Sequence, residues 1–205
     1  PPAANGRFVS LDHGRLYYEE SGSGPPLLLM HGFGQTVRFW DPYLPAWTKD
    51  NRVLVLDLPG HGRSDPVDGD VAYRHETAAR IILALMDSLG LAEVAIAGYS
   101  SGGITGLKVA SAAPGRVRAL VVVGGLGSLP GAVFGAVMRS YLTREGPDSL
   151  NPARMEYYTR SHGAEKGMLV ARQFWHFRLL EGDPALTPER LARVTARTLI
   201  VHGDD

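Results

Sequence analysis

Gly98-Tyr99-Ser100-Ser101-Gly102-Gly103 sets two adjacent hydroxyls in a glycine-rich stretch directly after the apolar run 94–97. A serine hydroxyl does acyl chemistry when a base takes its proton and when N–H donors wait for the oxyanion that forms. Only Ser100 has glycine both two places before it and two places after it; Ser101 has Tyr99 at the earlier position. Ser100 is therefore the candidate nucleophile. A tight turn from strand into helix forces such a serine into a strained conformation, and side chains on the flanking glycines would collide with neighbouring backbone. A helix beginning at Ser101 aims its first N–H groups and its positive dipole end at an oxyanion beside Ser100.

Two further stretches follow apolar runs. His31-Gly32-Phe33-Gly34 comes after 27–30 and is suited to turn the Phe33 N–H across the sheet top as a second oxyanion donor, with His31 holding the loop by hydrogen bonding. Asp57-Leu58-Pro59-Gly60-His61-Gly62-Arg63-Ser64-Asp65 comes after 53–56 and carries charge enough to look catalytic. Its Pro-Gly-x-Gly core is turn punctuation, and Asp57 and Ser64 are well placed to hydrogen-bond the loop's own backbone, so the structural reading is preferred.

These motifs need a scaffold, and the apolar runs supply it. The runs 27–30, 53–56, 94–97, 119–123 and 198–201 lack alternation, as strands covered on both faces do, and five buried strands are expected. Residues 7–11 and 15–21 flank Asp12-His13-Gly14 and read as an opening hairpin. Ala78, Ile81, Ile82, Leu85, Met86 and Leu89 recur at helical spacing, closed by Gly90. Alternating strand and helix argue for an α/β fold with a mainly parallel, doubly wound sheet whose ligand site lies at the carboxyl ends of the strands.

The alternation breaks over 126–196, which is helically patterned and rich in aromatics: Phe134, Met138, Tyr141, Tyr157, Tyr158, Phe174, Trp175 and Phe177. The expected organisation is a core over 1–125, a helical cap insertion over 126–196 and a return to the core over 197–205. Most of the aromatics would pack the small helices onto the core, while some roof the serine; Gly124, Gly125, Gly127 and Gly131 are candidate hinge positions.

Composition narrows the partners. Lys plus Arg and Asp plus Glu both number 21, so nothing suggests nucleic acid or an anionic membrane, and no apolar run is long enough to span a bilayer. The absence of cysteine removes disulfides, thiolate metal sites and thiol nucleophiles. No targeting signal is read from the sequence, and no cofactor or metal is implied.

The three motifs, in this order and each at a strand end, resemble the α/β-hydrolase fold family, in its branch of capped serine esterases, cofactor-free haloperoxidase-like enzymes and carbon–carbon bond hydrolases. The resemblance covers nearly the whole chain. It implies Ser100 as nucleophile, with the backbone N–H groups of Phe33 and Ser101 forming the oxyanion hole. A serine at this position speaks against the family's epoxide hydrolases and haloalkane dehalogenases, which use aspartate there. The activity implied is hydrolysis of small, largely apolar carboxylic esters through an acyl-enzyme. Carbon–carbon bond hydrolysis or a lyase step on the same site, a small-molecule receptor role, and an inactive fragment remain alternatives.

The resemblance also orders the triad as Ser, then Asp or Glu, then His. The acid is expected one residue beyond Asp205, with Asp205 a fallback, and the histidine later still. His13, His75 and His202 read as surface or packing residues; His61, His162 and His176 could approach a cleft but lack the family's placement for the base. If an eighth strand and a final helix are absent, the run 198–201 is an open edge, to be covered by a complementing C-terminal segment or by self-association.

Overall fold

Each apolar run is a strand. The computed structural model describes residues 5–67, 73–125, 152–176 and 186–203. β1 (Asn5–Leu11) and β2 (Gly14–Ser21) form the opening hairpin, followed by β3 (Pro26–Met30), β4 (Arg52–Leu56), β5 (Val94–Tyr99), β6 (Val117–Val123) and β7 (Arg197–Val201). Among the described residues they build one seven-stranded sheet in the order β1-β2-β4-β3-β5-β6-β7. The β1–β2 and β2–β4 pairs are antiparallel and the others parallel.

Double coverage explains the unbroken apolar runs. Leu28, Met30, Leu54, Leu56 and Ile96 pack on one face with α2 (His75–Ser88) and α3 (Ser101–Ala112). Leu29, Val53, Val55 and Ala97 pack on the other with Val37, Trp40 and Trp47, from a 3-10 turn (Val37–Trp40) and the one-turn helix α1 (Leu44–Trp47). Successive side chains on a strand point to opposite faces, so both sets must be apolar when both faces are covered. The stripe Ala78, Ile81, Ile82, Leu85 and Met86 is buried as its spacing requires, and Gly90 follows it with φ 63°.

The expectation of five buried strands fails at β7. All five of its residues are exposed, with Leu199 and Ile200 at 58% and 62% accessibility, because among the described residues β7 pairs with β6 alone as a strand and little of the described chain covers its faces. Within 126–196 the described helices are α4 (Pro152–His162), α5 (Ala164–His176) and α6 (Pro188–Leu191). Gly127, Gly131, Phe134, Met138, Tyr141, Phe177, the Trp175 side chain, and Asp204 and Asp205 lie outside the described residues. Among those described, no helix is long and apolar enough to cross a membrane, and no cluster of three or more His, Asp or Glu is arranged to hold a metal.

Strand order fixes where a ligand can sit. The chain leaves β3 toward β4 on one side and leaves β5 toward β6 on the other, so the carboxyl ends of the adjacent strands β3 and β5 border the switch point of the sheet. His31 to Gly34 follow one of those ends and Ser100 follows the other.

Interior and edge should respond differently to truncation. Ile82→Ala, at a fully buried position of α2, is expected to cost about 2–5 kcal/mol in urea unfolding. Ile200→Ala, on the exposed edge, should stay within about 0.5 kcal/mol of the parent.

Candidate active site

Ser100 is the one non-glycine residue with positive φ among those described, at φ 50° and ψ −116°, directly between β5 and α3. Its N–H donates to the carbonyl of Val123 in β6 at 2.8 Å and its carbonyl accepts from Ile104 N–H in α3 at 3.0 Å, so the adjacent strand and the following helix hold the strained residue. A methyl placed on Gly98 would run into the backbone of Gly102, and one on Gly102 into the carbonyl of Met30 at the end of β3. These two glycines let the first turn of α3 lie in backbone contact with the ends of β5 and β3. The Gly32 Cα in turn lies against the Tyr99 ring, seating the Phe33 loop beside the elbow.

Ser101 differs from its neighbour. It is buried, and its Oγ is 3.1 Å from Nε2 of His75, at the start of α2. Ser100 is half-buried, and its side chain makes no capping bond to α3. The His75 partnership is a contact that sequence reasoning missed; helical periodicity places His75 on α2 but says nothing of what lies opposite.

The Phe33 loop is pinned by its neighbours. His31, fully buried, accepts from Leu58 N–H on Nε2 at 3.0 Å, so its proton is on Nδ1, which donates to the Gly32 carbonyl at 2.7 Å. Burial lowers the His31 pKa to about 3. The Gln35 side-chain oxygen accepts from Gly32 N–H at 2.8 Å. In the 57–65 loop, Asp57 accepts from Val37 N–H at 2.7 Å and Arg63 N–H at 2.9 Å, and burial raises its pKa. Ser64 Oγ donates to the Asp57 carbonyl at 2.6 Å and accepts from Tyr17 N–H at 2.9 Å. Both residues serve loop backbone, as their turn chemistry suggests.

The helices of the 126–196 stretch come down on these loops. His162 Nδ1 accepts from Gly62 N–H at 2.8 Å, and its Nε2–H donates to the Gly34 carbonyl at 2.9 Å. Lys166 donates to the carbonyls of Gly62 and Ser64 at 3.0 and 2.9 Å. Phe33 packs against Phe174 and Tyr73 with ring centroids 5.7 and 5.5 Å apart, and edge-on to His61 at 4.7 Å. This makes an apolar wall beside the candidate donor. His61 Nδ1–H donates to the Pro59 carbonyl at 3.0 Å; its Nε2 and the Gln173 side-chain oxygen are buried acceptors without a hydrogen-bond partner in the described structure.

No candidate base emerges from the histidines near the elbow. His31, His61, His75 and His162 each hold loop backbone or Ser101. His13 is exposed in the hairpin turn, His176 ends α5, and His202 follows β7, exposed and bonded to its own backbone at the Gly203 carbonyl.

Residues 25–166 match the family model for the alpha/beta hydrolase fold. The chain belongs to the α/β-hydrolase fold family. It is 36% identical over 185 residues to the dihydrolipoyllysine-residue acetyltransferase component of the acetoin cleaving system of Pseudomonas putida, covering 87% of this chain and 48% of that protein. It is 34% identical over 132 residues to a 2-hydroxy-6-oxononadienedioate/2-hydroxy-6-oxononatrienedioate hydrolase of Dechloromonas aromatica, covering 60% and 45%. The crystal structure of a hydrolase from Pseudomonas aeruginosa PA01 superposes with a TM-score of 0.73 at 26% identity, covering 98% of this chain and 81% of that one. The chain spans about half the length of the first curated relatives it matches.

The neutral histidines tie stability to pH. Burial is the first cause of the lowered pKa of His31, His61 and His162. Each therefore stabilises the fold fully above the unfolded-state value of about 6.5, and that contribution is lost as pH falls toward the lowered folded value. Urea unfolding from pH 7.5 to 5 should show stability falling by up to about 1.4 kcal/mol per pH unit for each histidine that stays neutral. A flat profile would contradict the assignment of neutral rings.

Proposed function

We propose that this family member is a serine hydrolase of small, largely apolar carboxylic esters. In this reading Ser100 attacks the carbonyl carbon, and the N–H groups of Phe33 and Ser101 stabilise the oxyanion. Ser100 gives up its hydroxyl proton as it attacks and the carbonyl π bond opens to a tetrahedral alkoxide; this collapses as the ester C–O bond breaks, the alcohol leaves with that proton, and an acyl group stays on Ser100, which water then releases as the acid by the same sequence, returning a proton to Ser100.

The observation that carries the reading is the conformation of Ser100. A strained φ persists only where the surroundings over-determine it, and here backbone bonds to β6 and α3 and two close glycine contacts do so. The first N–H groups of α3 find no acceptor within the helix, and its dipole is positive at that end. Phe33, Tyr73 and Phe174 suit an apolar acyl or alcohol group. The base is assigned to none of His31, His61, His75 or His162, each of which has a ring nitrogen engaged with loop backbone or with Ser101.

A second reading is hydrolysis of a carbon–carbon bond in a 2-hydroxy-6-oxo dienoic acid, favoured by the name of the Dechloromonas aromatica relative. Presenting the full-length protein with short activated esters and with such keto acids separates the two. Turnover of esters at least about tenfold faster in kcat/KM supports the first reading, and the reverse order supports the second.

Ser100→Ala should lower kcat by roughly 10⁶ where a complete triad operates, while Ser101→Ala, which keeps its backbone N–H, should cost less than about tenfold. Equal losses at the two positions would defeat the assignment.

A further inference from the structure

His162 is the last residue of α4, and it bonds to two loops that the sequence places 100 and 128 residues earlier. Both ring nitrogens are used in opposite senses: Nδ1 accepts from Gly62 N–H and Nε2–H donates to the Gly34 carbonyl. Only the neutral ring with its proton on Nε2 can do this. We propose that His162 is a positioning residue for the reaction, fixing from the helical insertion the loop that presents the Phe33 amide to the oxyanion. The inference rests on the reading of Ser100 and Phe33 above.

The case for positioning, beyond anchorage, comes from what already holds each part. The hairpin of α4 and α5 has other anchors on the core, since Lys166 donates to the carbonyls of Gly62 and Ser64 and the buried Tyr158 ring lies against the Gly34 Cα. The Phe33 loop is different. On its Gly32 side it is held by the Gln35 side chain, the Gln35 N–H and the His31 ring, all from its immediate neighbourhood. On its Gly34 side the polar restraint is His162. Gly34 has φ 77°, a conformation a loop readily leaves when its carbonyl is released. The Phe33 amide lies between these two points of attachment, so freeing the Gly34 carbonyl lets it swing away from where the oxyanion forms. A donor misplaced by about 1 Å costs on the order of 10²-fold in rate.

The surroundings make the bond sensitive to protons. Toward His162 face the His61 ring at 5.7 Å, with His31 behind it, and the Lys166 ammonium from α5; Asp57, Arg63 and Asp65 lie in the loop that supplies Gly62. A proton added at Nδ1 would point at Gly62 N–H, replacing an attraction with a donor–donor clash beside a cation. Acid should therefore free Gly62 from the ring, while the Nε2–H bond to the Gly34 carbonyl persists.

The test uses the full-length protein. Glutamine carries an acceptor and a donor at similar reach and does not titrate, whereas leucine carries neither. His162→Leu should lower kcat for a short activated ester by roughly 10²-fold with KM changed less than about threefold. His162→Gln should keep kcat within about fivefold of the parent and lose the acid-induced loosening of the Gly62 amide between pH 7 and 5. Amide exchange gives a second readout: in His162→Leu, protection at Gly62 should drop at least about tenfold while the α2 and β5 amides keep theirs. Loss of Gln activity equal to that of Leu would show that ring packing, and not the two bonds, matters, and would overturn the inference. Unchanged kcat and Gly62 protection in His162→Leu would overturn it as well. If the leucine variant does not fold, the glutamine pH profile and the loss of Gly62 protection in the parent on acidification decide. Ser100→Ala assayed beside them tells the failures apart: full activity there sinks the serine reading, and the exchange arm then judges His162 by itself.

Discussion

The structure turns on a close approach of backbone to backbone where α3 begins. With nothing on the Gly98 and Gly102 Cα atoms to hold them apart, the helix N-terminus sits on the end of β3 and tight against β5. That closeness sets the strained dihedrals of Ser100 and brings the β3 loop beside it, so one steric condition decides the elbow, the seat of the Phe33 loop and the direction in which the α3 dipole points. A single Cβ at Gly102 would push α3 from β3 and undo all three.

Around that contact the protein uses polar side chains chiefly as braces for loops. His31, Asp57, Ser64 and His162 each bond two backbone groups, chiefly in the loops after β3 and β4. A loop bordering a site needs fixed geometry without regular secondary structure, and buried backbone groups left unpaired would each cost about 1–3 kcal/mol. Neutral imidazoles suit the task because one nitrogen accepts while the other donates. The same choice makes the site region sensitive to acid.

The comparisons and the geometry agree on the scaffold and diverge on the chemistry it serves. An acetyltransferase component and a keto-acid hydrolase, as those relatives are named, share a third of their aligned residues with this chain. A strained serine turn with a glycine loop beside it can carry many different reactions, and the groups that discriminate between substrates lie elsewhere. In this chain the wall of Phe33, Tyr73 and Phe174, with the buried acceptors of His61 and Gln173 nearby, lies beside that loop.

Local chemistry determined the strands, the helix of α2, the turn roles of Asp57 and Ser64, and which of the two serines sits at the strained turn, because each depends on residues a few places apart. Glycine spacing around Ser100 and the unbroken apolar runs carry that information in the sequence itself. Other facts needed the fold. That His75 engages the Ser101 hydroxyl, that His162 bridges Gly34 and Gly62, and that β7 is exposed although it reads like the buried strands all depend on which elements lie opposite one another. A histidine's type shows that it can brace a loop, and an apolar run shows that it can be covered. Only the packing of distant elements decides which loop is braced and whether the cover is there.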